Sequence, residues 1–378
     1  MASPESARKR HVRRSSRRIS SNPPLPGLPS ANTSPQAKTS TTLVRSAMAR
    51  FVSTCATPTL ANRAVAAAKA AESSAHPIQL MEMMVRCDGA PSRTLYTRIM
   101  QTGRASKTAL RVAIRRAAHQ LMEQPRILDD PIAVPLLGSG FARDMERAMH
   151  KVARDFRAFM AARSRFVEDR LAEAVANGVW QYVILGAGLD TFAYRNPFPS
   201  LRVFEVDYPA TQDWKRTLLH NAGICLPENL TFVPLDFEHR ALGEGLAGAG
   251  LDTDQAAFFG CLGVVPYLTR DAFRATLSTI AQLPAGTGFC FDYTFSPETL
   301  SPRRRVVFDW LSHRVASAGE PFRLFFTPEK LEAELVSSGF RDIDQVGAKE
   351  LNERYFAGRA DGLKLSSSDL GKLATAWV

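Results

Sequence analysis

The apolar residues of this chain follow two different periods from about residue 106 onward, and the change of period defines the predicted elements. Short apolar runs of strand length occupy 181–185, 201–206, 230–233, 256–260 and 287–293. Stretches with helical spacing occupy 106–123, 146–177, 210–221, 270–282, 303–317 and 328–338. Thr327 and Pro328 suit the start of a helix, and Gly178 suits the end of the long one. Alternating strands and helices predict an α/β fold whose mostly parallel sheet binds ligands at the carboxyl ends of its strands.

The turn after the first strand is the most informative motif. The segment QYVILGAGLDT (181–191) leads an apolar strand into a glycine-containing turn, and an acidic residue follows two positions later. The next strand ends in two carboxylates that flank Val206. Glycines allow the backbone to approach a ligand closely, and carboxylates can accept hydrogen bonds from ribose hydroxyls. A nucleoside site is therefore predicted at Gly186, Ala187, Gly188, Asp190, Glu205 and Asp207.

The same turn discriminates between cofactors. The dinucleotide fingerprint has a third glycine where this chain has Thr191, which disfavours close packing over a pyrophosphate. An acid at position 190 suits a ligand that carries an ammonium or sulfonium centre. These features favour S-adenosylmethionine as the cofactor, with an NAD-dependent oxidoreductase as the alternative.

The charge of the chain is concentrated at its beginning. The 378 residues carry a net charge of +11, and the first 50 contain ten Lys or Arg and one Glu, a balance of +9 that leaves +2 for the rest. The size allows one large α/β domain with extensions, or two domains, and the hydrophobic share of 45% is ample for a core. Nucleic-acid binding by the folded part is not indicated, because that part is nearly neutral.

The N-terminal extension is predicted to be disordered through residue 75, since it is rich in Arg, Ser and Pro. It is a plain extension, a transit peptide or a basic arm for anionic partners. No apolar run reaches about 18 residues, so a membrane span is not predicted. The five scattered cysteines form no metal-binding pattern and favour a reducing, cytoplasmic setting, or an organelle if the extension is a transit peptide. The sequence does not predict an oligomeric state.

Several ordered segments together resemble the leucine carboxyl methyltransferase-like family of S-adenosylmethionine-dependent methyltransferases, in its bacterial branch. The resemblance covers about residues 105–360. The segments are Thr108–Leu110, Asp129–Pro131, Arg163–Arg165, Gln181–Arg195, Phe204–Pro209, Leu235–Phe237, Leu262–Thr269 and Phe291–Tyr293.

This resemblance implies a class I methyltransferase (Rossmann-like) fold: a seven-stranded, mostly parallel sheet with helices on both faces and a helical N-terminal cover. The expected boundaries are an extension to residue 75, a methyltransferase domain over 76–360 and a C-terminal tail over 361–378. The expected partner is a small-molecule acceptor, methylated on a carboxylate or hydroxyl oxygen. A carboxylate acceptor needs no general base, whereas a hydroxyl needs one.

The resemblance also implies individual roles. Arg163 matches the family arginine that holds the cofactor carboxylate, which a planar guanidinium suits. Asp207 matches the ribose-binding acid, with Glu205 as a second candidate on the same strand face, and Asp236 with the Phe237 backbone matches the adenine contact. Tyr267 is the preferred active-site residue. One departure is Leu262, which stands where many members carry Glu, and it leaves a noncatalytic, cofactor-binding regulator as an alternative.

Overall fold

The computed structural model describes residues 106–149, 154–236, 241–317, 319–366 and 370–378. The predicted disorder of residues 1–75 and the first part of the predicted domain, 76–105, lie outside the described residues. Helices that belong to the described part of the chain are too short or too polar to cross a membrane.

Seven strands form one sheet in the order β3-β2-β1-β4-β5-β7-β6. Strands β1 to β5 are parallel, whereas β7 runs antiparallel to both of its neighbours, so the sheet is mixed. The strands are β1 (Gln181–Leu185), β2 (Arg202–Asp207), β3 (Leu230–Pro234), β4 (Phe258–Cys261), β5 (Gly288–Thr294), β6 (Arg341–Val346) and β7 (Gly371–Trp377).

The helices pack on both faces of the sheet and over its carboxyl edge. They are α1 (Lys107–Met122), α2 (Ala133–Leu137), α3 (Ala142–Met149), α4 (Arg154–Ala176), α5 (Pro209–Asn221), α6 (Leu242–Gly248), α7 (Arg270–Ala281), α8 (Pro302–Ala316), α9 (Pro328–Ser337) and α10 (Ala348–Tyr355). The 3-10 helix Val265–Tyr267 follows β4. The predicted helix caps are confirmed, because Thr327 Oγ1 accepts a hydrogen bond from Lys330 N at 3.3 Å and Gly178 has a φ of +90° just after α4.

Alternate residues of β1 belong to different hydrophobic clusters, as expected of a parallel strand buried on both faces. Val183 and Leu185 belong to the cluster beneath α6, α7 and α9, whereas Tyr182 and Ile184 belong to the cluster beneath α4 and α10. A third cluster joins α1, α2, α3 and α5, and it includes Leu189 from the turn after β1. The helical cover is therefore packed directly onto that turn.

The strand order changes direction between β1 and β4. The chain passes from β1 to β2 on one side, and β4 pairs with the other side of β1. Open α/β sheets bind their ligands in the crevice at such a switch point, outside the carboxyl ends of the strands. The turn after β1 and the loop after β4 meet there.

The expected C-terminal tail over 361–378 is wrong for its last residues. Residues 371–377 form β7, which pairs with β5 on one side and β6 on the other. The domain therefore extends to Trp377. The strand β7 was not predicted because its buried centre, Leu373 to Ala376, is short and composed mainly of small residues.

Candidate active site

A cavity of about 1340 Å³ opens at the carboxyl edge of the sheet, between the strand ends and the helical cover. Of the predicted site residues that the structure describes, Glu205 alone does not line it. Those that line it are Arg163, Gly186, Ala187, Gly188, Asp190, Asp207, Asp236 and Tyr267. Phe237, the predicted adenine contact, lies outside the described residues.

Two glycines of the turn after β1 adopt the left-handed backbone region. Gly186 has a φ of +65° and Gly188 a φ of +50°, values that other residues rarely adopt. A Cβ atom on Gly188 would lie 3.0 Å from Ala109 Cβ, so the glycine also lets α1 close over the turn. Ala187 N donates to Val206 O at 3.0 Å, which ties the turn to the end of β2.

Asp207, at the end of β2, faces the turn. Its Oδ2 accepts from Gly188 N at 2.5 Å and its Oδ1 accepts from Tyr208 N at 2.6 Å. Burial raises the pKa of Asp207, and these backbone donors oppose that rise. The side chain of Thr211 also acts to lower this pKa, and a carboxylate can accept about four hydrogen bonds, so Asp207 can still accept one from a ligand.

Asp190 is held by an arginine of the helical cover. Its Oδ2 lies 2.8 Å from Arg116 Nη1, and its Oδ1 accepts from Phe192 N at 2.7 Å. Burial acts to raise the pKa of Asp190, but the charges of Arg116 and Lys215 outweigh it, and the pKa is lowered to about 2. The carboxylate is therefore ionised and its charge is largely neutralised by Arg116.

Thr191, which replaces the third glycine of the dinucleotide motif, belongs to the same network. Its hydroxyl accepts from Arg116 Nη2 at 2.8 Å and donates to Asp130 Oδ1 at 2.8 Å. Arg116 also pairs with Asp130 at 2.7 Å. Thr191 thus fixes the turn to α1 through its side chain. A dinucleotide site has a glycine at this position, which allows close packing over the pyrophosphate.

The structure corrects the expectation for Glu205. The residue shares a strand face with Asp207, but it lies one pleat deeper and is fully buried. Its Oε2 lies 2.5 Å from Nζ of Lys215, which α5 folds back over the strand and which is 1% exposed. Burial raises the pKa of Glu205 to about 7 although Lys215 acts to lower it. Glu205 and Lys215 form an interior ion pair beneath the cavity.

Arg163, on α4, is paired with Asp292 of β5. Arg163 Nη1 donates to Asp292 Oδ2 at 2.6 Å, and Gly263 N donates to the other oxygen of that carboxylate. Among the described residues, no group accepts a hydrogen bond from the buried Nε of Arg163. The Nε–Nη2 edge of the guanidinium is the side-on fork that binds a carboxylate with two parallel hydrogen bonds. Asp292 therefore orients a guanidinium that still has a free donor edge.

The loop after β4 forms the opposite wall of the cavity. The ring of Tyr267 lies 5.2 Å from the ring of Phe322, and the side chain of Thr108 acts to lower the pKa of its phenol. Glu320 Oε2 accepts from Thr108 N at 3.2 Å. Burial and the charge of Glu320 raise the pKa of Tyr267 to about 12, so the phenol is protonated at neutral pH and can act as a donor. Leu262 also lines the cavity, and it adds an apolar side chain there.

Three residues that contribute to the site were not predicted from the sequence. Asp292 lies in a segment that carries the family resemblance, but its contact with Arg163, 129 positions earlier, was not predicted. Arg116 gave a signal that could have been used, because a buried arginine in the apolar stripe of a helix requires an acidic partner. Glu320 offered no signal, since it lies in an irregular segment that only the folded chain brings to Thr108.

The strand order, the glycine turn of β1 and the acid that ends β2 define a class I methyltransferase fold. The model of the family described as leucine carboxyl methyltransferase matches residues 109–281. The chain is 33% identical over 294 residues to YktD of Bacillus subtilis, whose name assigns it provisionally to the S-adenosyl-L-methionine-dependent methyltransferases; the match covers 70% of this chain and 95% of YktD. This chain belongs to the leucine carboxyl methyltransferase family, and its cofactor is S-adenosyl-L-methionine.

Another relative and two solved structures are also similar to this chain. A Mycolicibacterium gilvum protein with the same provisional description is 34% identical over 195 residues, which is 47% of this chain and 63% of that protein. A DUF574 family protein from Streptomyces avermitilis has a solved structure with a TM-score of 0.45 at 17% identity, covering 69% of this chain and 99% of that chain. Human N-acetylserotonin methyltransferase, solved in complex with SAM, gives a TM-score of 0.37 at 12% identity, covering 66% of this chain and 74% of that chain.

Proposed function

We propose that this chain transfers a methyl group from S-adenosyl-L-methionine to an oxygen of a small-molecule acceptor, with a carboxylate as the preferred oxygen. The observation that carries the proposal is one continuous cavity, which runs from the turn after β1 and Asp207 to Tyr267 on the opposite wall. The name of the matching family, leucine carboxyl methyltransferase, supports a carboxyl oxygen.

The cavity has donors and acceptors suited to each part of the cofactor. Asp207 would accept hydrogen bonds from the ribose, and the free Nε–Nη2 edge of Arg163 would bind the methionine carboxylate. The turn Gly186-Ala187-Gly188 would lie beneath the methionine portion, and Asp236 would contact adenine with the Phe237 backbone. Asp190 would help to fix the conformation of the turn and would not bind the cofactor through its charge, because Arg116 already neutralises that charge. When bound, the cofactor supplies a methyl group that its sulfonium activates.

The chain itself contributes alignment and a site shielded from water. Arg163 and Asp207 would fix the two ends of the cofactor, so that the methyl carbon points toward the wall formed by Tyr267. The protonated Tyr267 hydroxyl would donate a hydrogen bond to the acceptor. Such positioning is worth up to about 7–11 kcal/mol of the barrier in ideal cases.

A carboxylate is favoured because it is already ionised and requires no proton removal. No histidine lines the cavity in the part of the chain that the structure describes. A hydroxyl acceptor is the second candidate, and the position of Glu320 beside Tyr267 and Thr108 supports it. Glu320 would then be the group that accepts the hydroxyl proton.

The stability of the methylated product in base distinguishes a carboxylate acceptor from a hydroxyl acceptor. The full chain, incubated with S-adenosyl-L-[methyl-³H]methionine and a small-molecule cell extract, should give a labelled product that releases volatile methanol in mild base, as a methyl ester does. Glu320→Gln should leave the rate nearly unchanged. Base-stable label, together with a loss of about 10²–10⁴-fold in rate for Glu320→Gln, would instead establish a hydroxyl acceptor with a general base. Cofactor binding without transfer to any acceptor would support the noncatalytic alternative.

Replacing Asp207 by alanine should weaken the binding of S-adenosylhomocysteine by about 1–3 kcal/mol, because ribose hydroxyls in the closed site would lose their acceptor. Isothermal titration calorimetry measures the effect. The matched control is Asp213→Ala, which removes an exposed carboxylate from α5, and it should bind as the parent does. An Asp207→Ala protein with parental affinity would remove the ribose role from this residue.

A further inference from the structure

Three of the arginines that line the cavity lie on helices α1 and α8 and form no ion pair with the described residues. Arg111 and Arg115 lie on α1, and Arg314 lies on α8; they are called the arginine trio here. The trio places three positive charges close together. Burial, together with the charges of Arg314, Arg111 and Arg163, lowers the pKa of Arg115 to about 10.

The trio has no carboxylate to neutralise it within the described residues. None of its members forms an ion pair there, although Asp144, Asp155 and Glu320 line the same cavity. Arg115 Nη1 donates only to the backbone oxygen of Arg111 at 2.8 Å, and its buried Nε has no hydrogen-bond partner among these residues. A buried cationic donor without an acceptor is costly unless a ligand supplies one.

Aromatic rings accompany two of these arginines. Arg115 Cζ lies 4.7 Å from the centroid of the Phe156 ring, and Arg314 Cζ lies 5.0 Å from that of Trp310. Both rings line the cavity, and they are 39% and 60% exposed. Exposed aromatic surface beside an unneutralised cation suits a ligand with an apolar body and an anionic group.

We propose that the arginine trio binds an oxyanion of the acceptor substrate, at a position separate from the oxygen that is methylated. This inference rests on the proposed function. Arg115 lies two turns along α1 from Thr108, which contacts Tyr267, a separation of about 10 Å along the helix axis at ~1.5 Å per residue. The acceptor class is thus an apolar, aromatic-sized molecule with a carboxylate, sulfonate or phosphate remote from its methyl-accepting oxygen.

The oxyanion that the trio binds must differ from the oxygen that is methylated. A carboxylate held by guanidinium donors has its lone pairs engaged, and methylation would abolish the charge that the trio binds. An anion that keeps its charge through the reaction would anchor substrate and product alike. The trio therefore supplies recognition, while Tyr267 lies at the reacting end.

The test uses two probes that differ in charge. Naphthalene-2-sulfonate and its neutral analogue naphthalene-2-sulfonamide are titrated into the full chain saturated with S-adenosylhomocysteine. The sulfonate should bind on the order of tenfold more tightly, the factor that ~1.4 kcal/mol corresponds to. Arg115→Met and Arg314→Met should each reduce this preference, and the double variant should abolish it, whereas Arg115→Lys should retain part of it.

The matched control is Arg305→Met, which removes an α8 arginine that is paired with Asp309 at 2.9 Å and lies outside the cavity lining. It should keep the sulfonate preference. Absence of a preference in the wild type, or its survival in the double variant, would overturn the proposal. So would a loss of S-adenosylhomocysteine affinity in Arg115→Met, which would assign the trio to the cofactor. Failure of the wild type to bind S-adenosylhomocysteine at all would instead contradict the proposed function.

Discussion

Replacing Lys215 by methionine is expected to lower the free energy of unfolding by about 1.4 kcal/mol more at pH 8 than at pH 5. At pH 8 Glu205 of the parent is largely ionised and paired with Lys215, whereas in the variant its carboxyl must hold a proton that the unfolded chain has lost. At pH 5 Glu205 is protonated in the folded protein, because burial raises its pKa to about 7. Lys215 then has no carboxylate charge to neutralise, so its loss costs little.

The direction of this pH dependence follows from the number of protons that Glu205 binds in the folded and unfolded states. In the unfolded chain Glu205 has an ordinary pKa of 4.5. Above that pH the folded protein holds a proton at Glu205 that the unfolded chain has lost, so this group makes stability fall as pH rises toward the folded pKa. Without Lys215 the folded pKa rises further, and the fall in stability continues above pH 7. The loss caused by Lys215→Met must therefore grow between pH 5 and pH 8.

Urea denaturation at both pH values measures this effect. The double variant Glu205→Gln with Lys215→Met should recover most of the stability at pH 8, because it leaves no unpaired charge. Lys330→Met, which removes an exposed lysine from α9, should change the unfolding free energy by no more than about 0.5 kcal/mol. An equal loss at the two pH values, or no recovery in the double variant, would contradict the buried-pair account.

Replacing Arg163 by methionine is expected to raise the dissociation constant of S-adenosylhomocysteine by about 10- to 100-fold. The lost hydrogen bonds join charged groups, and such bonds contribute ~1.5–3 kcal/mol. The single variant also leaves Asp292 buried and unpaired, which would destabilise the fold. Arg163→Met combined with Asp292→Asn separates the two effects, since it should restore the melting temperature without restoring the affinity.

Arg165→Met is the matched control for Arg163. It removes an arginine from the same helix whose partner is Asp169, at 2.6 Å, and which does not line the cavity. Its affinity for S-adenosylhomocysteine should equal that of the parent. If the double variant at Arg163 and Asp292 kept the parental dissociation constant with an intact melting curve, Arg163 would have no part in holding the cofactor.

The local parts of the site were predictable from the sequence, because they lie on short segments with strong patterns. The turn at Gly186 and the acid at Asp207 follow apolar strands whose carboxyl ends must meet at one edge of the sheet. Glu205 was assigned wrongly because the period of a strand gives the face of a residue but not its depth. A lysine at position 215, in the buried stripe of α5 with Thr211 and Leu218, was the available signal that an acid lay beneath it.

Contacts between distant segments could not be predicted in this way. Asp292 meets Arg163 only because β5 lies beside β4 and α4 crosses both, which depends on the assembled sheet. Similarly, β7 has too few large apolar residues to be recognised alone. Its position between β5 and β6 is stabilised by pairing with both strands.

Titration of the full chain with S-adenosylhomocysteine by isothermal calorimetry tests the central claim most directly. The cavity at the ends of β1 and β2 predicts saturable binding with one site per chain, weakened by Asp207→Ala and unaffected by NAD. Absence of binding by S-adenosylhomocysteine and by S-adenosylmethionine, in protein that melts cooperatively, would contradict it.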